Sequence, residues 1–275
     1  MKIIVVPTDF SAISLNAVNY AADLACVIGA NLSLIHVSPL PITFGELLTP
    51  VESMAEMAAK GEEQLKWLTE KITDRTQGKL AITSEVRQGN VVSAINDYCN
   101  SVNTYAVVMG VESTGTVERF LFGGKTFSAM EQLSWPLIIV PPGTRFEGIR
   151  KIGLACDLHK VKETLPVEEL KSLVNKFQAA FHVLYISDGS EGAFNAATIK
   201  ESIWLRKLLG ALHPTYHFIA GKDIEESINE FAKENEFDFL IIIPRKHTLI
   251  NKIFQHSYSK NLVLHTQVPV MAIHE

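Results

Sequence analysis

The sequence alternates between short apolar runs and segments with the periodicity of amphipathic helices. Lys2–Pro7 is an almost continuous apolar run, which is typical of a strand buried on both faces of a parallel sheet. Ser11 then offers an N-cap for a helix, and Gly29 is suited to end that helix. The same alternation continues along the chain and predicts parallel sheets covered by helices on both faces. The predicted strands are Lys2–Pro7, Asn31–Val37, Leu80–Arg87, Tyr105–Gly110, Leu137–Val140, Lys151–Cys156, Phe181–Ile186, Tyr216–Ala220, Phe239–Ile243 and Pro269–Ile273.

The second half of the chain repeats the plan of the first half. Landmark residues recur at similar offsets, and the later offsets are shorter, so the second copy has a shorter connecting region around its second helix. A length of 275 residues also favours two domains. We therefore expect domains at residues 1–143 and 149–275, with a boundary near Thr144–Gly148. The paired landmarks are Asp9 with Asp157, Gly89 with Gly221, and Pro136 with Pro269.

Composition and charge narrow the classes of function. The net charge is -5, which gives no electrostatic reason to expect nucleic acid or an anionic membrane as a partner. The sequence has no apolar run long enough to span a bilayer and no signal segment, so we expect a cytoplasmic protein. Cys26, Cys99 and Cys156 are widely spaced and form no C-x-x-C pair, which indicates a reducing compartment and three small core residues.

The segment Gly123-Gly124-Lys125-Thr126 looks like the end of a nucleoside-triphosphatase P-loop. A P-loop has the spacing G-x-x-x-x-G-K-[ST], which allows successive backbone N–H groups to surround the phosphates. The first glycine of that pattern would have to stand at position 119, where the chain has Arg119. The segment also lies far from the first strand, where a P-loop usually begins. A P-loop is therefore not the explanation of this segment.

Three stretches of the first half resemble the universal stress protein family. They are VVPTDFS at residues 5–11, EVRQGN at 85–90, and MGVESTGTVERFLFGGKTFSAMEQLSWPLIIVPP at 109–142. The resemblance covers nearly the whole chain, although the motifs are eroded in the second half. It implies a tandem member with two doubly wound, five-stranded parallel-sheet domains. Such domains are Rossmann-like and similar to the adenine nucleotide alpha hydrolases.

The resemblance also implies a phosphate-binding loop after the fourth strand. Nucleotide-binding members carry G-x-x-G-x9-G-[ST], which corresponds here to Gly110, Ser113, Gly123 and Gly124. Ser113 and Gly124 depart from the pattern but retain backbone amides. Gly110 and Gly123 lack a Cβ and would let backbone approach an anion, with Gly123 at a predicted helix N-terminus. Two further residues could compensate for the departures, Thr126 through its hydroxyl and Lys125 through a charge-assisted contact.

Asp9 is the remaining candidate of the first half. It follows the first strand at the edge where open α/β sheets bind ligands, and a carboxylate there could accept hydrogen bonds from ribose hydroxyls. By resemblance, Pro7, Thr8 and Val37 would border the adenine, and Met109 would pack beside the sugar or base. A second role for Asp9 is an N-cap of a helix that starts at Phe10, and the two roles do not exclude each other.

The second half lacks the corresponding anchors. Pro244 stands at the first glycine position and cannot donate an N–H, and His256-Ser257 replaces the later Gly-Ser pair. Asp157 alone remains, so we expect this half to serve as scaffold or regulator. Other histidines, among them His213 and His217, are interpreted as surface residues, since no third ligand completes a metal site.

Three hypotheses follow for function. The leading one is a cytoplasmic stress-response protein that binds ATP or AMP, with or without Mg²⁺, in its first half and regulates without catalysing. The second is an interaction protein in which both sites have decayed, and the weakest is a slow ATPase that uses Lys125 and Thr126. No catalytic residues are assigned. The resemblance implies that the final strands Leu137–Val140 and Pro269–Ile273 pair the two halves as an intramolecular pseudo-dimer, since the last strand commonly forms the dimer edge in this family. Such pairing would also protect apolar edges that favour aggregation. A homodimer of the chain is left open.

Overall fold

A computed structural model describes residues 1–38, 53–111, 124–187, 196–220, 223–244, 262–263 and 266–274. In the first half these ranges hold five strands and four α-helices. The strands are β1 (Ile3–Pro7), β2 (Asn31–Ser38), β3 (Ile82–Gln88), β4 (Thr104–Gly110) and β5 (Leu137–Val140). The helices are α1 (Ala12–Ile28), α2 (Met54–Arg75), α3 (Val91–Ser101) and α4 (Gly124–Gln132).

The described part of the second half has the same strand plan with different helices. Its strands are β6 (Lys151–Cys156), β7 (Ala180–Ser187), β8 (Thr215–Ala220), β9 (Phe239–Ile242) and β10 (Val270–Ala272). Its helices are α5 (Val161–Thr164), α6 (Val167–Phe177), α7 (Ala196–Leu209) and α8 (Ile224–Glu234), with a 3-10 turn at Gly210–Leu212.

The ten strands form one sheet in the order β3-β2-β1-β4-β5-β10-β9-β6-β7-β8. Neighbouring strands are parallel within each half, as the β–α alternation predicts. The halves meet where β5 lies antiparallel to β10, with Ile139 opposite Val270. Each half therefore has the doubly wound strand order. The order in the second half is the reverse of that in the first, so the last strand of one half lies beside the last strand of the other.

Burial explains why the strands are so apolar. Ile4, Val5 and Val6 of β1 are fully buried, and alternate residues belong to different hydrophobic clusters on the two faces of the sheet. One face is covered by α1, α2, α6 and α7, and the other by α3, α4 and α8. The prediction of helices on both faces is confirmed.

The ends of α1 follow the predicted signals. Ser11 is the N-cap, and its side chain accepts a hydrogen bond from the Ser14 backbone N–H. Gly29 ends the helix with a φ of 71°, in the left-handed region that a residue without a Cβ adopts at little cost. Both predictions for this helix are confirmed.

Two expectations need correction. The sequence predicts a helix over Pro166–Gln178, which α6 (Val167–Phe177) confirms, but it does not predict the one-turn helix α5 that comes before it. Leu165 is extended because the ring of the following proline disfavours the helical region for its predecessor. Cys26 is exposed and not in the core, whereas Cys99 and Cys156 are buried. Burial raises the pKa of the Cys99 thiol to about 11, so this thiol is protonated at neutral pH.

Two further points bear on the predicted organisation. The segment around the predicted boundary Thr144–Gly148 has no helix or strand, and Gly143 and Gly148 both have a positive φ. The sequence also predicts a helix over Lys252–Leu264, and most of that segment lies outside the described residues. Among the helices that the structure describes, none is long and apolar enough to cross a bilayer.

Candidate functional site

The first half has a cleft at the carboxyl ends of β1 and β4. The chain leaves β1 towards β2 on one side and reaches β4 on the other, so this is the switch point at which open α/β sheets leave a crevice. The cleft has a volume of about 420 Å³. It is lined by Pro7, Thr8, Asp9, Ser11, Ala12, Ile13, Ser14, Ile35, Val37, Val91, Met109, Gly110 and Thr126.

The turn between β1 and α1 presents the Asp9 carboxylate at this cleft. Oδ1 of Asp9 accepts hydrogen bonds from the backbone N–H of Ser11 at 3.1 Å and from its hydroxyl at 2.6 Å. Phe10 between them has a φ of 64°, in the left-handed region that costs a non-glycine residue about 1–2 kcal/mol. Its ring packs on His36, with centroids 4.8 Å apart. The N-cap of α1 is Ser11, so the alternative role of Asp9 as the cap is wrong.

Thr8 stabilises the same turn through hydrogen bonds. Its buried hydroxyl accepts a hydrogen bond from the Phe10 N–H at 3.0 Å and contacts the Ser14 hydroxyl at 3.0 Å. Its backbone N–H donates to the Ile35 carbonyl at 2.8 Å, and Nδ1 of His36 donates to the Thr8 carbonyl at 2.8 Å. Because β2 and α1 both hold this residue, the turn is fixed before any ligand arrives.

Three helices begin beside the cleft. Ser11 caps α1, Asn90 caps α3 by accepting from Val92 and Ser93 N–H groups, and α4 starts at Gly124. None of these three helices has an acidic residue in its first turn. The partial positive charges at their N-termini are therefore not neutralised by their own side chains. Such a convergence favours an anionic ligand.

Gly110 has a structural reason to lack a side chain. A Cβ added there would lie 2.6 Å from Cγ2 and 2.7 Å from the carbonyl oxygen of Ile13, both closer than real Cβ contacts. The glycine therefore lets the first turn of α1 pack against the end of β4. This requirement exists without any ligand, and the sequence-based interpretation had assigned the missing Cβ to the approach of an anion.

Thr126 connects α4 to β4. Its side chain is buried, and its hydroxyl donates to the Gly110 carbonyl at 3.0 Å. A hydroxyl has a single hydrogen, so in this arrangement Thr126 does not donate to a phosphate. The suggestion that this hydroxyl replaces the one missing at Gly124 is thus not supported by the geometry, although Thr126 does line the cleft.

The structure brings together seven of the eleven residues predicted for the site. Gly124 and Lys125 are the first two residues of α4 and precede Thr126 in the chain. Ser113 and Gly123 lie outside the described residues. The seven that line the cleft are Pro7, Thr8, Asp9, Val37, Met109, Gly110 and Thr126.

Sequence reasoning missed the first turn of α1 and the start of α3 as cleft walls. Ala12, Ile13, Ser14 and Val91 have no motif of their own. The signal that could have found them is positional, because a helix that directly follows a strand at the switch point must begin at the crevice. Ser11 was identified as a cap, and its second role as a cleft residue follows from the same position.

Among the described residues, the second half repeats the aspartate turn beside a much smaller cavity. His159 N–H donates to Oδ1 of Asp157 at 3.2 Å, and Leu158 has a φ of 51°, which repeats the geometry around Asp9. The cavity beside Asp157 has a volume of only about 20 Å³. Buried side chains of α5 and its surroundings line it, among them Val161 and Leu165. The residues His256 and Ser257, expected to crowd this site, lie outside the described residues.

A histidine pair lies at the outer edge of the second half, away from both crevices. Nδ1 of His182 on β7 is 2.8 Å from Nε2 of His217 on β8, and the two rings stack with centroids 5.1 Å apart. Burial lowers the pKa of His182, with smaller contributions from His217 and Lys151. Burial and Lys151 likewise lower the pKa of His217. His182 was overlooked in the sequence, and no cluster of three metal-binding side chains occurs in the described residues.

Comparison with known proteins identifies the family. The family model for the universal stress protein family matches residues 1–141 and again 148–274, so the chain belongs to this family as a tandem member. Comparison with curated proteins gave no match.

Two solved structures that align over nearly the whole chain have the same fold. A universal stress protein from Archaeoglobus fulgidus DSM 4304 is 18% identical with a TM-score of 0.74, and the alignment covers 99% of this chain and 98% of that one. A structure described as a putative universal stress protein from Pseudomonas aeruginosa UCBPP-PA14 is 10% identical with a TM-score of 0.65, over 99% and 92%. A universal stress protein in complex with cAMP is 20% identical with a TM-score of 0.40, over 52% and 98%.

Proposed function

We propose that this protein is a cytoplasmic regulator of the stress response that binds an adenine nucleotide, ATP or AMP, in its first-half cleft. The observation that carries the proposal is the meeting of Asp9 with three helix N-termini at one crevice. A volume of about 420 Å³ lies within the range of roughly 300–1,000 Å³ typical of small-molecule sites. A nucleotide combines the hydroxyls that a carboxylate binds with the phosphates that helix N-termini attract.

The lining suggests an orientation for the ligand. Pro7, Val37 and Met109 offer apolar surface to a base, and the Asp9 carboxylate can accept hydrogen bonds from ribose hydroxyls. The phosphates would then extend towards Gly110 and the start of α4, where Lys125 follows. Mg²⁺ would enter with the phosphates of ATP, since the described lining holds a single carboxylate.

A binding role is favoured over a catalytic one. Among the described residues that line the cleft, Asp9 is the one ionisable side chain. Its Oδ1 already accepts two hydrogen bonds from Ser11, so it is suited to fix a ligand and not to move a proton. The described lining holds no second titratable side chain that could act with Asp9 as an acid–base pair.

Calorimetric titration of the purified chain with ATP, ADP and AMP tests the proposal. We expect one nucleotide per chain, and we expect Asp9→Ala to weaken binding about tenfold or more, because charged hydrogen bonds contribute about 1.5–3 kcal/mol. Asp9→Asn is the informative companion, since it keeps an oxygen for the Ser11 bonds while removing the charge. If Asp9→Asn binds like the wild type, the loss in Asp9→Ala comes from the turn and not from the ligand.

Asp157→Ala provides a matched control, because Asp157 occupies the same kind of turn beside a crevice of only about 20 Å³. We expect it to leave nucleotide affinity unchanged. Absence of heat at about 1 mM nucleotide would refute the proposal, since affinity weaker than this amounts to less than about 4 kcal/mol.

The alternative is an interaction protein without a working nucleotide site. Two observations favour it, namely that Gly110 has a packing role independent of ligand and that the Thr126 hydroxyl is engaged with Gly110. Native mass spectrometry separates the two functions. Nucleotide that remains bound through purification supports the first, and a ligand-free chain that also fails in calorimetry supports the second.

The same proposal includes two domains, 1–143 and 149–275, which associate within the chain as a pseudo-dimer. The antiparallel pairing of β5 with β10 supports it, because Ile139 and Val270 at the joint are fully buried. Pairing of these edges removes two apolar strands from solvent.

A further inference from the structure

The outer surface of α7 carries apolar residues that the core does not use. Ile199 and Ile203 are 53% and 62% exposed and lie one helical turn apart, so their side chains are neighbours on one side of the helix. On the opposite side Leu205 and Leu209 are buried in the core. A surface helix normally confines its apolar residues to the buried side. This helix has them on both.

Lysines lie beside Trp204 on the same side of α7 as the exposed isoleucines. The ammonium nitrogens of Lys162 on α5 and Lys207 on α7 lie 5.0 Å and 5.1 Å from the ring centroid of Trp204. Lys200 is exposed one turn before Trp204 on the same side. We call the set of Ile199, Lys200, Ile203, Trp204, Lys207 and Lys162 the α7 surface.

Glu201 is the acidic residue of α7, and its carboxylate contacts the start of α5. Oε2 of Glu201 accepts a hydrogen bond from the Val161 backbone N–H at 2.7 Å, which directs this carboxylate to the start of α5. α7 carries three cationic residues, Lys200, Arg206 and Lys207, and one acidic residue, Glu201, so the helix has a local positive charge on a chain whose net charge is -5. Cation–π contact holds Lys162 and Lys207 beside Trp204 and limits their conformational freedom.

We propose that the α7 surface is a docking site for an acidic amphipathic helix of a partner protein. The pair of isoleucines at i and i+4 matches the spacing at which a helical ligand presents its own apolar residues. The surrounding lysines complement acidic residues on that ligand, and such complementarity gives register and specificity. Trp204 at the centre is the type of residue that dominates interface energetics.

An anionic membrane fits this surface less well. Interfacial helices insert an entire apolar side, whereas the larger apolar side of α7 is already buried in the protein. Two isoleucines offer little area for insertion. The overall negative charge of the chain also opposes approach to anionic lipid.

The test uses the full chain with Trp67→Phe and Trp135→Phe, which leaves Trp204 as the single tryptophan. The probe is a synthetic peptide of about 18 residues, with leucines at helical spacing among glutamates and alanines, long enough to form a helix. A scrambled peptide of equal composition and vesicles of phosphatidylglycerol with phosphatidylcholine are the comparison ligands. We expect a saturable change in Trp204 emission with the amphipathic peptide, at a Kd about tenfold or more below that of the scrambled one.

Substitutions on the α7 surface test whether the peptide binds there. Ile199→Ser together with Ile203→Ser should raise the Kd about tenfold or more, and Lys207→Glu should weaken binding and reduce its salt dependence. Val27→Ser is the matched control, because Val27 on α1 is 53% exposed, as Ile199 is, and lies outside this surface. Equal binding of both peptides, binding of vesicles alone, no binding up to about 1 mM, or an equal effect of Val27→Ser would each overturn the proposal.

Discussion

Gly110→Ala is a direct test of how the cleft is built. The new Cβ would meet Cγ2 of Ile13 at 2.6 Å and the Ile13 carbonyl oxygen at 2.7 Å, whereas carbon atoms in favourable contact are about 3.5–4.0 Å apart. The side chain of Ile13 is branched at Cβ and has few rotamers to escape into. The carbonyl oxygen belongs to the first turn of α1 and moves only if the helix moves.

The expected cost is that of an overpacked site. Insertion of a methyl group into a well-packed region costs about 1–3 kcal/mol, and here the first turn of α1 has to move away from β4 by roughly 1 Å to restore normal contact. With a urea slope of about 2 kcal/mol per molar, the unfolding midpoint should fall by about 0.5–1.5 M. Far-UV circular dichroism during urea titration measures this without ligand.

Gly210→Ala is the matched control. A Cβ at Gly210 meets nothing within 4 Å, and this residue has no positive φ. Its midpoint should stay at or slightly above that of the wild type, since alanine reduces the entropy of the unfolded chain. If Gly110→Ala has the same midpoint as Gly210→Ala, the packing role of Gly110 is wrong. An effect on nucleotide affinity alone would then restore the explanation in which Gly110 makes room for an anion.

Three further predictions concern other contacts. Thr126→Val keeps the shape of the side chain but removes the hydrogen bond to Gly110, so urea titration should show a loss of about 0.5–1.5 kcal/mol that Thr126→Ser largely restores. Burial lowers the pKa values of His182 and His217 below the ordinary histidine value of 6.5. Between the folded and the unfolded pKa values the unfolded chain binds more protons, so this contribution to stability should be complete above pH 6.5 and be lost as the pH falls through the lowered folded values. Thermal melts should show this decline, with a flatter profile for His182→Gln combined with His217→Gln, and equal profiles would contradict it. Ile139→Asp places a charge in the buried β5–β10 joint and should expose the joint to limited proteolysis, whereas an unchanged digestion pattern would argue against a stabilising joint.

Most of the sheet could be predicted from the sequence because its signal is local. A run such as Ile3–Pro7 is apolar at every position only if both faces of the strand are buried, and that fact alone indicates a parallel strand between two helical layers. The cap at Ser11 and the stop at Gly29 are likewise local, since each depends on one residue and its backbone geometry.

The candidate site was less accessible to sequence reasoning because its contacts are not local. The need for glycine at position 110 comes from Ile13 on another element, and the role of Thr126 comes from the Gly110 carbonyl. A motif read along the chain cannot distinguish a glycine that accommodates a ligand from one that accommodates a helix. The histidine pair shows the same limit, because His182 and His217 meet only through the register of β7 and β8.

Comparison of the two halves distinguishes the contribution of the aspartate to the crevice from the contribution of the helix that follows it. Both Asp9 and Asp157 accept a backbone hydrogen bond across a left-handed residue, so the turn alone does not create a cleft. In the first half an uninterrupted α1 follows, and its capped N-terminus forms one wall of a crevice of about 420 Å³. In the second half Pro166 follows Leu165 and ends the helical path after the single turn of α5.

That interruption changes the chemistry of the crevice as well as its size. A helix of one turn has little macrodipole to offer an anion, and the buried side chains of Val161 and Leu165 occupy the space beside Asp157. The backbone N–H of Val161, at the start of α5, already donates to Glu201. In this tandem chain the aspartate turn therefore occurs beside a cavity of about 420 Å³ and again beside one of about 20 Å³, and the continuity of the helix after it is one described feature that differs between the two.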